Sequence, residues 1–415
     1  MSNKRDIVIA GGGMVGVSLA IALAHALPES TDILLVEGFP FPDPLPGVRP
    51  QYHPSFDARS TALSYSSRIA YQQMGVWQEL EQWLCPIECI HVSSKGHFGS
   101  TLLSAVDHNW PALGYVVENT WLGNALIQSL YQQGRVEVRS PVKVTAAQPL
   151  ETGVRLQLDG GSVSEIEASL LIVADGAASS LRAALGVSVE EKPYGQQALI
   201  ANVATAQAHE GFAYERFTDE GPLAMLPLLS AAPSEYRSAL VWALPPERAE
   251  QLAQCEEEVF LHELQQRFGY RLGRLIKAGE RHTYPLSLVQ SAEQIRQGVV
   301  VMGNAAHALH PVAGQGFNLA LRDVDELTRV LAAASNEGRP LGDLASLQTY
   351  EQRQQGDQAK TIEFSDRVPS LFMHADPLVG LGRDLALAGL DVMPLLKQEF
   401  VRHAAGVAGM TGMEG

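Results

Sequence analysis

The stretch that most constrains this chain is DIVIAGGGMVGVSLAIALAHAL, residues 6–27. A short apolar run, three glycines and a second apolar run read as buried parallel strand, tight turn and helix. Gly11, Gly13 and Gly16 carry the G-x-G-x-x-G spacing. The first glycine of such a set permits the turn, the second lets backbone approach a pyrophosphate, and the third lets helix pack on strand. The helix N-terminus adds free N–H groups and a positive dipole end, where phosphate is stabilised. A second strand at 33–37 ends on Glu37. That carboxylate lies about 20 residues beyond Gly16, the right distance to accept from ribose hydroxyls. The pieces agree on dinucleotide binding in an α/β, Rossmann-like domain. They do not separate NAD from FAD, although an acid at 37 disfavours a 2′-phosphate at this site. Lys4, Arg5 and the Ala24-His25-Ala26 triplet also fit a secretory leader, but a leader gives no reason for the glycine spacing.

The chain has 415 residues, enough for two domains with sizeable cores. Its formal net charge of −16 speaks against nucleic acid, which wants a basic stripe. It also weakens attraction to an anionic membrane surface, so any membrane contact must be apolar. Three cysteines, Cys85, Cys89 and Cys255, are too few for a disulfide framework and fit a reducing compartment. Cys85 and Cys89 lack a second pair to complete a zinc site, and no metal is expected. No stretch approaches the ~20 apolar residues of a membrane span.

Two further strand–turn–helix corners follow. ASLLIVADGAASSLRAALG, 168–186, is a buried strand ending in Asp175-Gly176, with Ser179 or Ser180 placed to cap the next helix. GVVVMGNAAHALHPVAGQGFNLALRDVDELTRVL, 298–331, repeats the design: a strand to Met302, a turn at Gly303-Asn304, and a helix opened by Gly314-Gln315-Gly316. On that helix Phe317, Ala320, Leu321, Val324, Leu327 and Leu331 share one face, and Arg322, Asp323, Asp325 and Glu326 fall largely opposite. Its first N–H groups can stabilise an anion. His307 and His310 are spaced as metal ligands on a helix would be, but Pro311 follows at once. Shaping the loop or lining a cofactor suits them better. The serines at 64–68 belong to no G-x-S-x-G nucleophile elbow.

In order and spacing these three segments resemble the class A flavin-dependent aromatic monooxygenases, with the p-hydroxybenzoate hydroxylase-like fold. Within that family, FDARSTALS (56–64) and HPVAGQGFNLALRD (310–323) are similar to the ubiquinone-biosynthesis hydroxylases. AHEGFAYERFTDEGPLAMLPL (208–228) together with GNAAH looks like their 2-octaprenyl-6-methoxyphenol hydroxylase branch. Most of the wider family has Asp where Asn304 stands; Asn accepts through its carbonyl and donates besides. The resemblance implies FAD, with its ADP end at Gly11, Gly13, Gly16 and Glu37. Arg59, Asp175, Gly303, Asn304 and Asn318 would also touch the cofactor, and Pro311, Gly314, Gln315 and Gly316 would line the flavin. It implies residues 1–85, 111–186 and 285–335 as a discontinuous FAD-binding domain, 86–110 and 187–284 as a mixed-sheet substrate domain, and 336–415 as a helical C-terminal region. Pro227 is a candidate for the substrate pocket.

By the same resemblance, NADPH or NADH reduces FAD and leaves. Reduced flavin and O2 then give a C4a-hydroperoxide that hydroxylates an electron-rich ring, here a polyprenylated phenol. Reduced flavin is anionic, so the N–H groups at 314–316 would stabilise it. The pocket must be apolar to keep water out. No second G-x-G-x-x-G supplies a nicotinamide domain. No histidine or acid is singled out as a general base. The apolar, glycine-broken tail beyond 367 can pack internally, bind another quinone-biosynthesis protein, or touch a membrane from the cytoplasmic side. A non-catalytic flavoprotein subunit, or another flavin oxidoreductase on the same scaffold, is the competing expectation.

Overall fold

The computed structural model describes residues 4–42, 59–95, 100–230, 232, 234–310, 314–373, 398, 401–402 and 405–407, with side chains through 367 in the last helix. The strand Lys4–Ala10 runs parallel to Ile33–Val36 on one side and to Glu165–Val173 on the other. Val136–Arg139 and Val299–Val301 extend the same parallel set outward. Glu165–Val173 also pairs antiparallel with Val154–Asp159, which pairs with Lys143–Pro149. The inner stretches of the central strands, residues 7–10, 33–36 and 170–173, are apolar at every position because both faces are covered. Ile7, Ile9, Ile33 and Leu35 pack under helices Met14–Ala26 and Gln315–Asn336, while Val8, Ala10, Leu34 and Val36 pack against the 143–159 hairpin and the short helix Ser180–Ala184. Met14–Ala26 is buried all round from Gly16 to Ala24, as befits a helix at the centre of a layer.

A second sheet runs in the order His307–Ala308, His282–Ser291, Val189–Thr205, Tyr236–Leu244, Pro222–Leu228, Phe212–Phe217, Cys89–Ser94 and Ser100–Ser104. Leu223, Met225, Leu240 and Trp242 point to one side, where helices Pro246–Gln254 and Glu257–Phe268 cover them. Ala224, Leu226, Ala239 and Val241 point to the other side, into a cavity. The boundary expected at residue 284 falls inside the strand His282–Ser291, which carries the second sheet to Ser291. The cause is the 17-residue strand Val189–Thr205, long enough to hold that partner from Val189 to Ile200. A small third sheet, Ser60–Ser64, Gly114–Glu118 and Cys85–Ile87, joins the two large ones.

Candidate cofactor and substrate cavity

A cavity of about 1320 Å3 lies between the ends of the parallel strands and the second sheet. This is more than the ~300–1,000 Å3 of one drug-sized ligand, so it has room for two. Gly11, Gly13, Met14 and Glu37 line one end, and Arg59, Asp175, Asn304, Gly314, Gln315 and Gly316 line the middle. Ile90, Val92, Leu103, Ala213, Phe217 and Leu226 line the far wall.

The glycines at the near end have separate physical tasks. Gly11 has φ +113°, and a Cβ there would sit 2.5 Å from the Ala174 carbonyl oxygen. A Cβ on Gly16 would lie 1.9 Å from the Gly11 carbonyl oxygen, so the helix could not rest on the turn. Gly16 itself is buried beneath the turn and off the cavity wall; it permits the approach and does not make it. Gly13 is the N-cap of Met14–Ala26 and makes no side-chain cap, so the first N–H groups stay open where the cavity meets the helix. Glu37 accepts from Gly12 N at 2.6 Å and from Phe39 N at 2.9 Å. Each carboxylate oxygen keeps a further lone pair for a hydroxyl. A loop that a Cβ would fill, an uncapped helix start and a buried carboxylate together fit the ADP end of a dinucleotide.

The other two corners converge on the same cavity. Asp175 follows the strand Glu165–Val173, and Ser179 caps the next helix by accepting from Arg182 N at 2.9 Å. The buried Arg182 guanidinium donates to Ala305 O at 2.7 Å and to Ala177 O at 3.2 Å, tying the turn at 175–177 to that at 303–305. Gly303, at φ +60°, packs on Val15 without reaching the cavity, while exposed Asn304 does reach it. Gly314 caps the helix Gln315–Asn336 at φ +61°, again with no side-chain cap, and Gln315 and Gly316 line the cavity at this helix N-terminus. Arg59 lies over the Tyr284 ring at 5.0 Å.

Besides Gly16 and Gly303, two further site expectations differ from what the structure shows. Asn318 does line the cavity, but its amide is fully committed to protein. Its oxygen accepts from Ser64 N at 2.8 Å and Ser67 Oγ at 2.7 Å, and its nitrogen donates to Ala62 O at 2.9 Å and Gly314 O at 2.7 Å. Asn318 fastens the Gly314 loop to the strand Ser60–Ser64, and no capacity is left for a ligand. Pro227 is buried but does not line the cavity; strand alternation turns Ala224 and Leu226 inward instead. Pro311 lies outside the described residues.

The two histidines part company. His307 donates from Nε2 to the Asp323 carboxylate, 2.8 Å away, with both side chains almost wholly buried. His310 lines the cavity, edge-on to Tyr194 at 5.0 Å, and burial pushes its imidazole down to about 4 despite Asp366 nearby. It is therefore neutral near pH 7. Sequence reasoning missed three ionisable cavity residues, Lys143, Tyr214 and Glu215, the last in the strand Phe212–Phe217. Burial alone pushes its carboxyl up to about 7.

Comparisons with known proteins agree with this geometry. Residues 48–365 match the FAD binding domain family. Ubiquinone hydroxylase UbiL of Rhodospirillum rubrum is 32% identical over 97% of this chain and 89% of its own length. The 3-demethoxyubiquinol 3-hydroxylase of Escherichia coli is 31% identical, covering 98% of this chain and 100% of that protein. The crystal structure of p-nitrophenol 4-monooxygenase from Pseudomonas putida superposes with a TM-score of 0.75 over 97% of this chain and 99% of that one. At 18% identity, that likeness speaks for the fold alone. The chain belongs to the FAD-dependent aromatic monooxygenases, in the family of the ubiquinone-biosynthesis hydroxylases.

Proposed function

We propose that this enzyme hydroxylates the ring of a polyprenylated phenol in ubiquinone biosynthesis, with NADPH or NADH and O2 as co-substrates. The observation that carries the reading is a single cavity with dinucleotide-binding groups at one end and an apolar sheet wall at the other. When bound, FAD supplies the redox chemistry, taking hydride and activating O2. The protein's part is to bind, orient and keep dry. The open N–H groups at Gly13 and Met14 hold the diphosphate, and Glu37 accepts from the ribose. Asp175 and Asn304 would hold the chain leading to the ring, and the positive N-terminal end of the helix Gln315–Asn336 would stabilise negative charge on the ring. Arg59, fixed over Tyr284, borders the ring. Ile90, Val92, Leu103, Phe217 and Leu226 exclude water around the substrate.

A prenylated phenol resides in the bilayer, so the reading places the enzyme on the cytoplasmic side, peripheral to the inner membrane. No described helix is long and apolar enough to cross a membrane. The tail proposed to make that contact, or to meet other quinone-biosynthesis proteins, lies mostly outside the described residues.

The test is the absorbance spectrum of the purified protein, first under anaerobic NADPH or NADH with ortho-farnesylphenol and then in air. The expected result is a flavin band that bleaches, then returns with a product one oxygen atom heavier. Flavin that binds without bleaching or product would support the non-catalytic subunit instead.

A further inference from the structure

We propose that Glu215 is the general base of this hydroxylation: its carboxylate accepts the hydrogen bond of the phenolic O–H and takes that proton as the ring is oxygenated. The proposal rests on reading the cavity as a phenol-hydroxylating site.

The strand Phe212–Phe217 turns Ala213, Glu215 and Phe217 toward the cavity. Glu215 thus sits within the apolar wall where a ring must lie, opposite the end that holds the dinucleotide. Its cross-strand neighbours are Val92 and Ala224, neither of which can pair with it. Among the described residues the carboxylate makes no hydrogen bond or ion pair. Arg216, next along the strand, turns to the other face, donating to Arg267 O at 2.9 Å and Ser93 Oγ at 3.2 Å. Pro222–Leu228 carries no titratable side chain. On Cys89–Ser94, His91 lies against Tyr214 at 6.0 Å and the Cys89 thiol reaches Ser104. The other ionisable groups lining the cavity are Glu37, Arg59, Lys143, Asp175, Tyr214 and His310. Burial holds His310 too low to serve as a base and raises the Tyr214 phenol further.

An unpartnered carboxylate half-buried in an apolar wall is costly and persists where it has a task. Burial brings Glu215 to about 7, matched to proton transfer near neutral pH. In the step, the phenolic O–H bond breaks and its proton goes to Glu215. The electron pair stays on oxygen and enriches the ring carbon, which takes one oxygen atom from O2; the other oxygen leaves as water, reduced by the two electrons of NAD(P)H, both co-substrates being those the monooxygenase activity uses. When that carbon loses its own hydrogen as a proton to water, Glu215 returns a proton to the phenolic oxygen.

The test uses the FAD-loaded full chain, with the flavin absorbance of each variant reporting that it is folded and loaded. Binding of ortho-farnesylphenol and of its methyl ether is measured calorimetrically between about pH 5 and about pH 9. The wild type should bind the phenol about tenfold more tightly above pH 7 than at the acid end. The ether, which has no proton to give, should show the reverse, and E215Q should flatten both. Hydroxylation by E215Q should fall by about 100-fold and lose its acid limb near pH 7, with E215D recovering part. Phenol binding in the wild type that ignores pH would overturn the base. So would E215Q matching the wild type in rate and pH profile, and that result leaves the phenol-hydroxylase reading standing. A wild type that makes no product overturns the reading, and the base with it.

Discussion

Single residues in this protein are often held by backbone demands visible in the sequence and sometimes by facing directions that are not. Gly11 and Gly16 could be assigned from spacing alone, because a Cβ at either would strike fixed backbone. Glu215 could not. The run Phe-Ala-Tyr-Glu-Arg-Phe has no clean alternation, and only its pairing with Val92 and Ala224 reveals which way the carboxylate points. Asn318 shows the converse: its place beside the glycine loop was readable, but its four internal hydrogen bonds were not. Asn318→Ala should cost about 3 kcal/mol in chemical denaturation of the FAD-free protein, since buried donors and acceptors lose their partners. Glu215 should also mark stability. Its folded-state pKa is raised, so its contribution is fully present below the ordinary carboxylate value of 4.5 and is lost as pH rises through about 7. E215Q should therefore be more stable than wild type at about pH 8, by about 1–2 kcal/mol, with the difference gone below pH 4.5. Melting temperatures of the two FAD-free proteins across that window would decide it.

Among elements, the helix Gln315–Asn336 departs most from its sequence pattern. Its apolar face packs on the first helix as the periodicity requires. Asp323 and Glu326, which fall largely opposite that face, are buried as well. The reason is the long helix Leu344–Met373, which covers the second side; no pattern within 315–336 announces a neighbour that arrives later in the chain. Its Gln358 donates to Asp323 at 2.9 Å, and its Arg353 pairs with Glu326 at 3.0 Å. Asp323 thereby joins three elements, since His307 belongs to the strand that pairs with His282–Ser291. Asp323→Ala should destabilise the protein by about 3 kcal/mol or more, because it strands a buried imidazole and an amide. Asp323→Asn, which keeps the shape, should cost less; urea denaturation of both variants checks the order.

At the scale of the whole molecule, the cavity belongs to neither large sheet alone. A ligand filling it makes contact with both. FAD at 100 times its Kd should stabilise the protein by about 2.7 kcal/mol. Hydrogen exchange should slow at both Lys4–Ala10 and Phe212–Phe217, on opposite walls of the site. Gly16→Ala should abolish both effects, since the helix must move off the turn. The order of the strands has a further consequence, for the chain as it is made. Lys4–Ala10 must find Glu165–Val173, which in turn must find Val299–Val301. A nascent chain on the ribosome therefore carries an unpaired apolar strand edge until residue 301 has emerged. By then the strands from Val189 to Ser291 are all available to pair with one another. The substrate wall can form first, and the nucleotide-binding half closes around it, making the edge at Leu171–Val173 the segment most in need of chaperone cover during synthesis.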